Sequence, residues 1–230
     1  MRSGRQLLMM TTLVVATSCS IVGDDHDLDG STGVSATQLG MVHRSLVEAG
    51  LEMTLASPSG GPVPVHSGSL SEEWSGARDI AATGVGLPDL DRDFEAYVLL
   101  GGAGVLVDLR TDERLVRMLD RALSAGRTVV AIDQGAAALA QVVGPDGIPR
   151  IAGLRMTGRS SAEDRALGHH CIGIDSTEHR LRAAGAHYSA GPNWLSHVMS
   201  DAGVITAQNT ASVPHAMSLL IDTRERLAAA

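Results

Sequence analysis

At 230 residues, with 44% hydrophobic and 19% charged side chains, the chain is long enough for one α/β domain and can bury a sizeable core. With two Trp, two Tyr and one Phe, that core must be built from Val, Leu, Ile, Ala and Met. A net charge of −8 with no basic cluster argues against nucleic acid as the main partner, and the 18 basic residues are all Arg, which excludes Schiff-base lysine chemistry.

Taken in chain order, Leu13 to Thr17 is strand-like and is followed by an acidic loop from Gly23 to Ser31. Val34 to Ala49 has helical spacing and stops at Gly50, a good C-cap. Leu51 to Ala56 forms a second strand, Ser57 to Pro64 a Pro/Gly-rich turn, and Leu70 to Asp93 an irregular, partly helical insertion. Tyr97 to Leu100 is a third strand running into Gly101-Gly-Ala-Gly104, and Thr111 to Ala125 is an amphipathic helix closed by Gly126. Val129 to Ile132 is a buried strand that turns at Asp133 into a predicted helix over Ala136 to Val142. Gly135 lets the two elements pack closely. Further on, Ile151 to Thr157 and Val204 to Thr206 look like strands, and Asp175 to Ala184 and Val213 to Leu227 like helices. This alternation predicts a single α/β domain over residues 1–230, with a mostly parallel central sheet and the 70–93 insertion.

Two cysteines, Cys19 and Cys171, are too few for a disulfide framework, so a reducing cytoplasm is the expected setting. The N-terminal run after Arg2 and Arg5 leads to Ala16-Thr-Ser-Cys19, which has a faint lipoprotein look; a first core strand is the better reading. No other apolar run approaches transmembrane length, and no membrane role is expected. Asp25-His-Asp-Leu-Asp-Gly30 mimics the first half of a calcium loop, but its twelfth position is Ala36 rather than Glu. His169-His170-Cys171 lies too tightly along one chain to converge on an ion, so no metal or other cofactor is expected.

The strand-to-helix turn at Asp133 carries most of the functional information. In α/β enzymes such an elbow holds a nucleophile against helix N-terminal amides; here it holds a carboxylate. As an alternative, Asp133 could simply cap the helix that follows.

Thr17-Ser-Cys19, Thr32-Gly-Val34, Glu48-Ala-Gly50, Thr54-Leu-Ala-Ser-Pro-Ser-Gly-Gly61 and Leu100-Gly-Gly-Ala-Gly104 with Asp108-Leu109 precede the elbow. Met156-Thr-Gly158 with Ala162-Glu163, Gly191-Pro-Asn-Trp194 and Ile205-Thr-Ala-Gln-Asn-Thr-Ala-Ser212 follow it. In this order and spacing the segments resemble the DJ-1/PfpI superfamily, the class I glutamine amidotransferase-like proteins, and especially its Hsp31-like branch. The resemblance implies a flavodoxin-like three-layer sandwich, commonly a homodimer, with a pocket at the carboxyl ends of the strands. It also implies glyoxalase, hydratase, amidase or protein-repair chemistry built on an elbow Cys, a following His and an early-helix Glu.

This chain departs at each of those positions. Asp133 stands at the Cys position, Gln134 at the His, Gln38 at the early-helix Glu, and Ala103 at the His of the usual Gly-Gly-His-Gly turn. An Asp facing a Glu would force one of the two to protonate; Gln38 removes that repulsion and supplies an amide donor to Asp133. Asp133, Gln38 and Gln134 are the expected catalytic group, with backbone amides around Gly102, Ala103 and Gln134 for developing negative charge. Cys19, His197 and Asn209 fall in segments that surround the family pocket, as does Ser212, and the first three are expected substrate contacts. Glu163 is placed with them, although without the family's His it reads as a solvated group or an Arg partner.

Three functions follow as expectations. The first is a bacterial biosynthetic enzyme acting on a small molecule through Asp133, by hydration, elimination, cyclisation or epoxide opening. The alternatives are a catalytically inactive ligand-binding or stress-response relative, and one with residual glyoxalase or hydrolase activity.

Overall fold

The computed structural model describes residues 11–21, 32–168 and 176–229. The acidic loop with its calcium-like motif and the His169-His170-Cys171 run lie outside the described residues. Seven strands form the central sheet: β1 (Thr11–Val15), β2 (Glu52–Ser57), β3 (Val85–Gly86), β4 (Ala96–Leu99), β5 (Thr128–Ile132), β8 (Val198–Asp201) and β9 (Val204–Ala207). Their order is β3-β2-β1-β4-β5-β9-β8, and every pairing is parallel except β8 with β9. Two short strands, β6 (Arg155–Met156) and β7 (His187–Tyr188), pair apart from it.

The pleat sorts the apolar strands onto two faces. Leu13, Val15, Tyr97, Leu99, Val129 and Ala131 point to one face. They pack there against α3 (Glu113–Ser124), α5 (Thr177–Ala183) and the segment after the elbow. Val14, Val98, Leu100, Val130 and Ile132 point to the other, against α1 (Ala36–Glu48), α2 (Ala77–Ala81) and α6 (Val213–Ala229). The result is the three-layer, flavodoxin-like α/β sandwich expected from the alternating pattern.

Local chemistry sets the helix starts. Asp112 caps α3 by accepting from the Arg114 and Leu115 amides, and Ser35 caps α1 by accepting from the Gln38 amide. Ser160 opens α4 (Ser161–Ala166) with a capping box to Glu163.

Two expectations need correction. The Ala-rich run after the elbow is a 3-10 helix over Asp133–Gln141, not an α-helix from Ala136; its small side chains tolerate the eclipsed i, i+3 stacking of the tighter winding. The strand expected over Ile151 to Thr157 shrinks to β6, because Gly153 turns the chain at φ 79. The 70–93 insertion, expected to be partly helical, holds α2, β3 and one 3-10 turn at Leu87–Asp89.

Candidate active site

The sheet order reverses direction between β1 and β4, and at such a switch point the connecting segments splay apart at the carboxyl ends of the strands. Asp133 stands in that region, the first residue after β5, with its backbone at φ 59. A non-glycine residue in the left-handed region costs about 1–3 kcal/mol and persists only where surrounding structure enforces it. Here the enforcement is steric and electrostatic. Gly101 leaves room for the elbow: a Cβ there would lie 2.6 Å from the Asp133 Cβ. The Arg159 amide donates to the Asp133 carbonyl at 3.2 Å.

The Asp133 carboxylate is 5% exposed as a residue and is gripped from two sides. Gln38 Nε2 donates to Oδ2 at 3.0 Å, and Arg159 Nη1 donates to Oδ1 at 3.2 Å. The capping alternative is not what the side chain does: its oxygens accept from Gln38 and Arg159 rather than from amides of the turn it opens. Gln38 is fixed in turn, its Oε1 accepting from the Gly101 amide at 3.1 Å and its Nε2 also donating to Thr210. Gln38 occupies the third helical position, where a capping-box Gln would fold back on the helix start; it reaches into the site instead.

Arg159 was not legible as a site residue, yet it organises the cluster. Its Nε donates to Asp164 Oδ1 at 3.2 Å, so one guanidinium bridges two carboxylates, and it lies 5.4 Å from the centre of the Trp194 ring. Burial pushes the Asp133 carboxyl above its ordinary range; Arg159 and Gln38 oppose this, and the charges of Glu163 and Asp164 reinforce it. Asp164 is raised for the same main reason, again opposed by Arg159. Burial alone would lower the Arg159 pKa, but the surrounding carboxylates raise it, so it stays charged.

Five of the expected residues, Asp133, Gln38, Gln134, Gly102 and Ala103, line a common cavity of about 310 Å³. Arg159, His66, Ser69, Thr32, Ser35, Thr210 and Leu167 complete much of its wall; Thr32 and Thr210 lie in the family-like segments, but none of the seven was expected as a site residue. The remaining expected contacts do not line it. Cys19 sits behind the Gly104 turn with its Sγ donating to the Ile21 carbonyl. His197 shares a hydrogen bond with Ser189 and donates its amide to Ser212. Glu163 is fully buried rather than solvated, accepting from the Trp194 amide at 2.9 Å and from Asn209 Nδ2 at 2.8 Å. Burial works against its ionisation, but these bonds outweigh it and hold its pKa below the ordinary range. Asn209 is thereby a clamp on Glu163, one layer behind the cavity.

The Gly-rich turn presents its amides differently from the sequence expectation. Gln134 Oε1 accepts from the Gly102 amide at 3.2 Å, so the side chain beside the elbow occupies the donor assigned to a substrate. Gly102 itself sits at φ 129, and a Cβ there would fall 2.4 Å from the Gly33 carbonyl oxygen.

Known structures share this architecture. The 24 kDa rapid encystment protein of Francisella tularensis superposes with a TM-score of 0.86 at 25% identity, covering 93% of this chain and 98% of that one. Glyoxalase III of Candida albicans superposes at 0.83 and 21% identity, covering 93% and 97%. A Bos taurus protein, glutamine amidotransferase-like class 1 domain-containing protein 1, is 32% identical over 129 residues, or 55% of this chain. The match takes in 58% of that relative's length. The model of the DJ-1/PfpI family matches residues 31–223, which span the cavity walls from Thr32 to Thr210 together with the elbow, and the chain therefore belongs to that family.

Proposed function

We propose that the protein is a cofactor-independent enzyme of small-molecule metabolism in which Asp133 performs general acid/base chemistry, of the hydratase, lyase or cyclase type. The observation that carries this reading is a buried carboxylate in a strained backbone position, displayed on a cavity and pushed above its ordinary pKa by burial. Strain and desolvation both oppose folding, and capping does not account for them.

Acid/base work suits the geometry better than nucleophilic attack. Arg159 and Gln38 each draw on one carboxylate oxygen, which damps nucleophilicity but leaves lone pairs free to accept a proton. A raised pKa brings the group closer to neutral pH, where proton transfer in both directions is efficient. Among the described residues no cysteine lines the cavity, so a thiol mechanism of the glyoxalase kind has no support there.

The test is turnover of neutral epoxides and unsaturated carbonyl compounds by wild type and Asp133→Asn. Loss of about 10²–10⁴-fold in turnover, with an unchanged melting transition, is expected. Full activity in Asp133→Asn would overturn the assignment. Ligand affinity without turnover, indifferent to the substitution, would mark a binding protein instead.

A further inference from the structure

We infer that His66 is the second proton-transfer group of the site, a general acid that works with Asp133, and that the cavity takes a small β-hydroxy carbonyl compound from which the two residues eliminate water. The inference rests on the acid/base reading of Asp133 and supplies its partner and its substrate class.

His66 lies on the strap between β2 and α2 and lines the same cavity as Asp133. Its place on the wall is fixed through the backbone. Val34 and Val65 form a parallel bridge, the Val34 amide donates to the Pro64 carbonyl at 2.8 Å, and the His66 amide donates to the Val34 carbonyl at 3.0 Å. Ser69 Oγ donates to the His66 carbonyl at 2.6 Å and accepts from the Ala36 amide at 2.9 Å, which ties the strap to the first residue of α1. The same helix carries Gln38, whose Nε2 holds Asp133 at 3.0 Å, so α1 sets both groups in one frame.

The imidazole itself is uncommitted. The hydroxyls of Thr32, Ser35, Ser69 and Thr210 and the Gln134 carboxamide each join a hydrogen bond within the protein. Among the described residues, half-buried His66 is the only polar side chain on the cavity wall that joins none, so its ring nitrogens are left for water or a bound molecule. Gly68 leaves room for the ring: a Cβ there would lie 3.0 Å from the His66 Cε1.

Chemistry then assigns the role. A base that removes a proton beside a carbonyl needs an acid to accompany the leaving oxygen. Arg159 keeps its charge and cannot give up a proton, and the hydroxyls and carboxamides of the wall are far weaker acids. Histidine is the side-chain type that both gives and takes a proton near neutrality. In the step, the Asp133 carboxylate takes the proton from the carbon next to the carbonyl. The C–H electron pair becomes the new C=C bond as the C–O bond breaks, and the leaving oxygen takes the imidazolium proton of His66 and departs as water. Asp133 is left protonated and His66 neutral, and proton exchange with solvent restores both.

Elimination from acetaldol and from its acetate ester tests this, because both yield crotonaldehyde but acetate leaves without needing a proton. His66→Gln should melt as wild type does, lose about 100-fold in turnover of acetaldol and stay within about threefold on the ester. Imidazole in the buffer should restore part of the acetaldol turnover lost in His66→Ala. Asp133→Asn should lose about 100-fold on both compounds. Undiminished acetaldol turnover in His66→Gln, or an equal loss on both compounds, would overturn the role of His66 and leave that of Asp133 standing. An ester that wild type leaves intact, or that Asp133→Asn eliminates as fast as wild type does, would overturn the acid/base reading and this inference with it.

Discussion

Replacing Arg159 by Met removes the one guanidinium that two buried carboxylates share, and the consequence can be worked from the geometry. Each contact is 3.2 Å, with side chains 8–12% exposed. At an effective dielectric of about 20, a pair at that separation gains roughly 5 kcal/mol, much of it offset by desolvating the ions. Removing the cation leaves Asp133 with the cost and only the Gln38 hydrogen bond against it, and such deletions cost about 3–5 kcal/mol. The loss should depend on pH. Asp133 and Asp164 already have raised pKa values, so the folded state holds their protons more tightly than the unfolded chain does. Their contribution to stability is complete below the unfolded carboxylate value and is lost as pH rises through the folded values. Without Arg159 those folded values climb further. Urea unfolding of Arg159→Met should therefore show a loss that shrinks as pH is lowered, because protonated carboxyls no longer need the cation. A loss below about 1 kcal/mol, or one independent of pH, would refute the shared-cation account.

Two further substitutions probe separate parts of the structure. Gly101→Ala places a methyl 2.6 Å from the Asp133 Cβ and should cost about 1–3 kcal/mol in unfolding. By displacing the elbow it should also lower turnover about 100-fold, and wild-type stability with wild-type turnover would show that the elbow is not so tightly determined. Arg224, on the sheet-facing side of α6, is 5% exposed, and none of its three guanidinium nitrogens has a hydrogen-bond partner among the described residues. Burial lowers its pKa, with the Glu95 charge opposing. Arg224→Met should therefore be neutral or stabilising by about 1–2 kcal/mol in urea denaturation, and a clear destabilisation would mean that the attraction of Glu95 outweighs the cost of burying the guanidinium.

Legibility in the sequence followed the physics of each element. β1, β4 and β5 were readable because strands buried on both faces need nearly continuous apolar runs. α3 was readable because one face carries Leu115, Met118, Leu119 and Ala122 while the other is charged. β8 was not: Val198-Met-Ser-Asp201 is a half-exposed edge strand with no apolar alternation, and only its partner β9 defines it. β6 and β7, two residues each, carry no periodicity at all. Within the site, Gln38 and Asp133 are 95 positions apart, and only a family resemblance could bring them together in advance; their hydrogen bond agrees with that expectation. Arg159 was missed because an arginine after a Thr-Gly turn reads as a surface residue. The nearby signal was the Ser160-to-Glu163 capping box, which fixes a helix start and with it the direction from which Arg159 enters.

The same Glu163 explains why that arginine can stand where it does. Its carboxylate, 0% exposed, holds the Trp194 amide while Trp194 sits at φ 63, a conformation a large side chain avoids unless it is tied down. Tied down, the indole lies against the Arg159 guanidinium and limits its rotation. The guanidinium then spans two carboxylates through two different nitrogens, Nη1 to Asp133 and Nε to Asp164. A lysine ammonium, a compact point charge on a flexible stem, would have to converge on one spot and could not hold both acids in separate directions. The elbow carboxylate is thus kept buried while a planar cation opposes the rise that burial imposes on its pKa, and that cation is itself placed by a strained tryptophan and a fully buried glutamate.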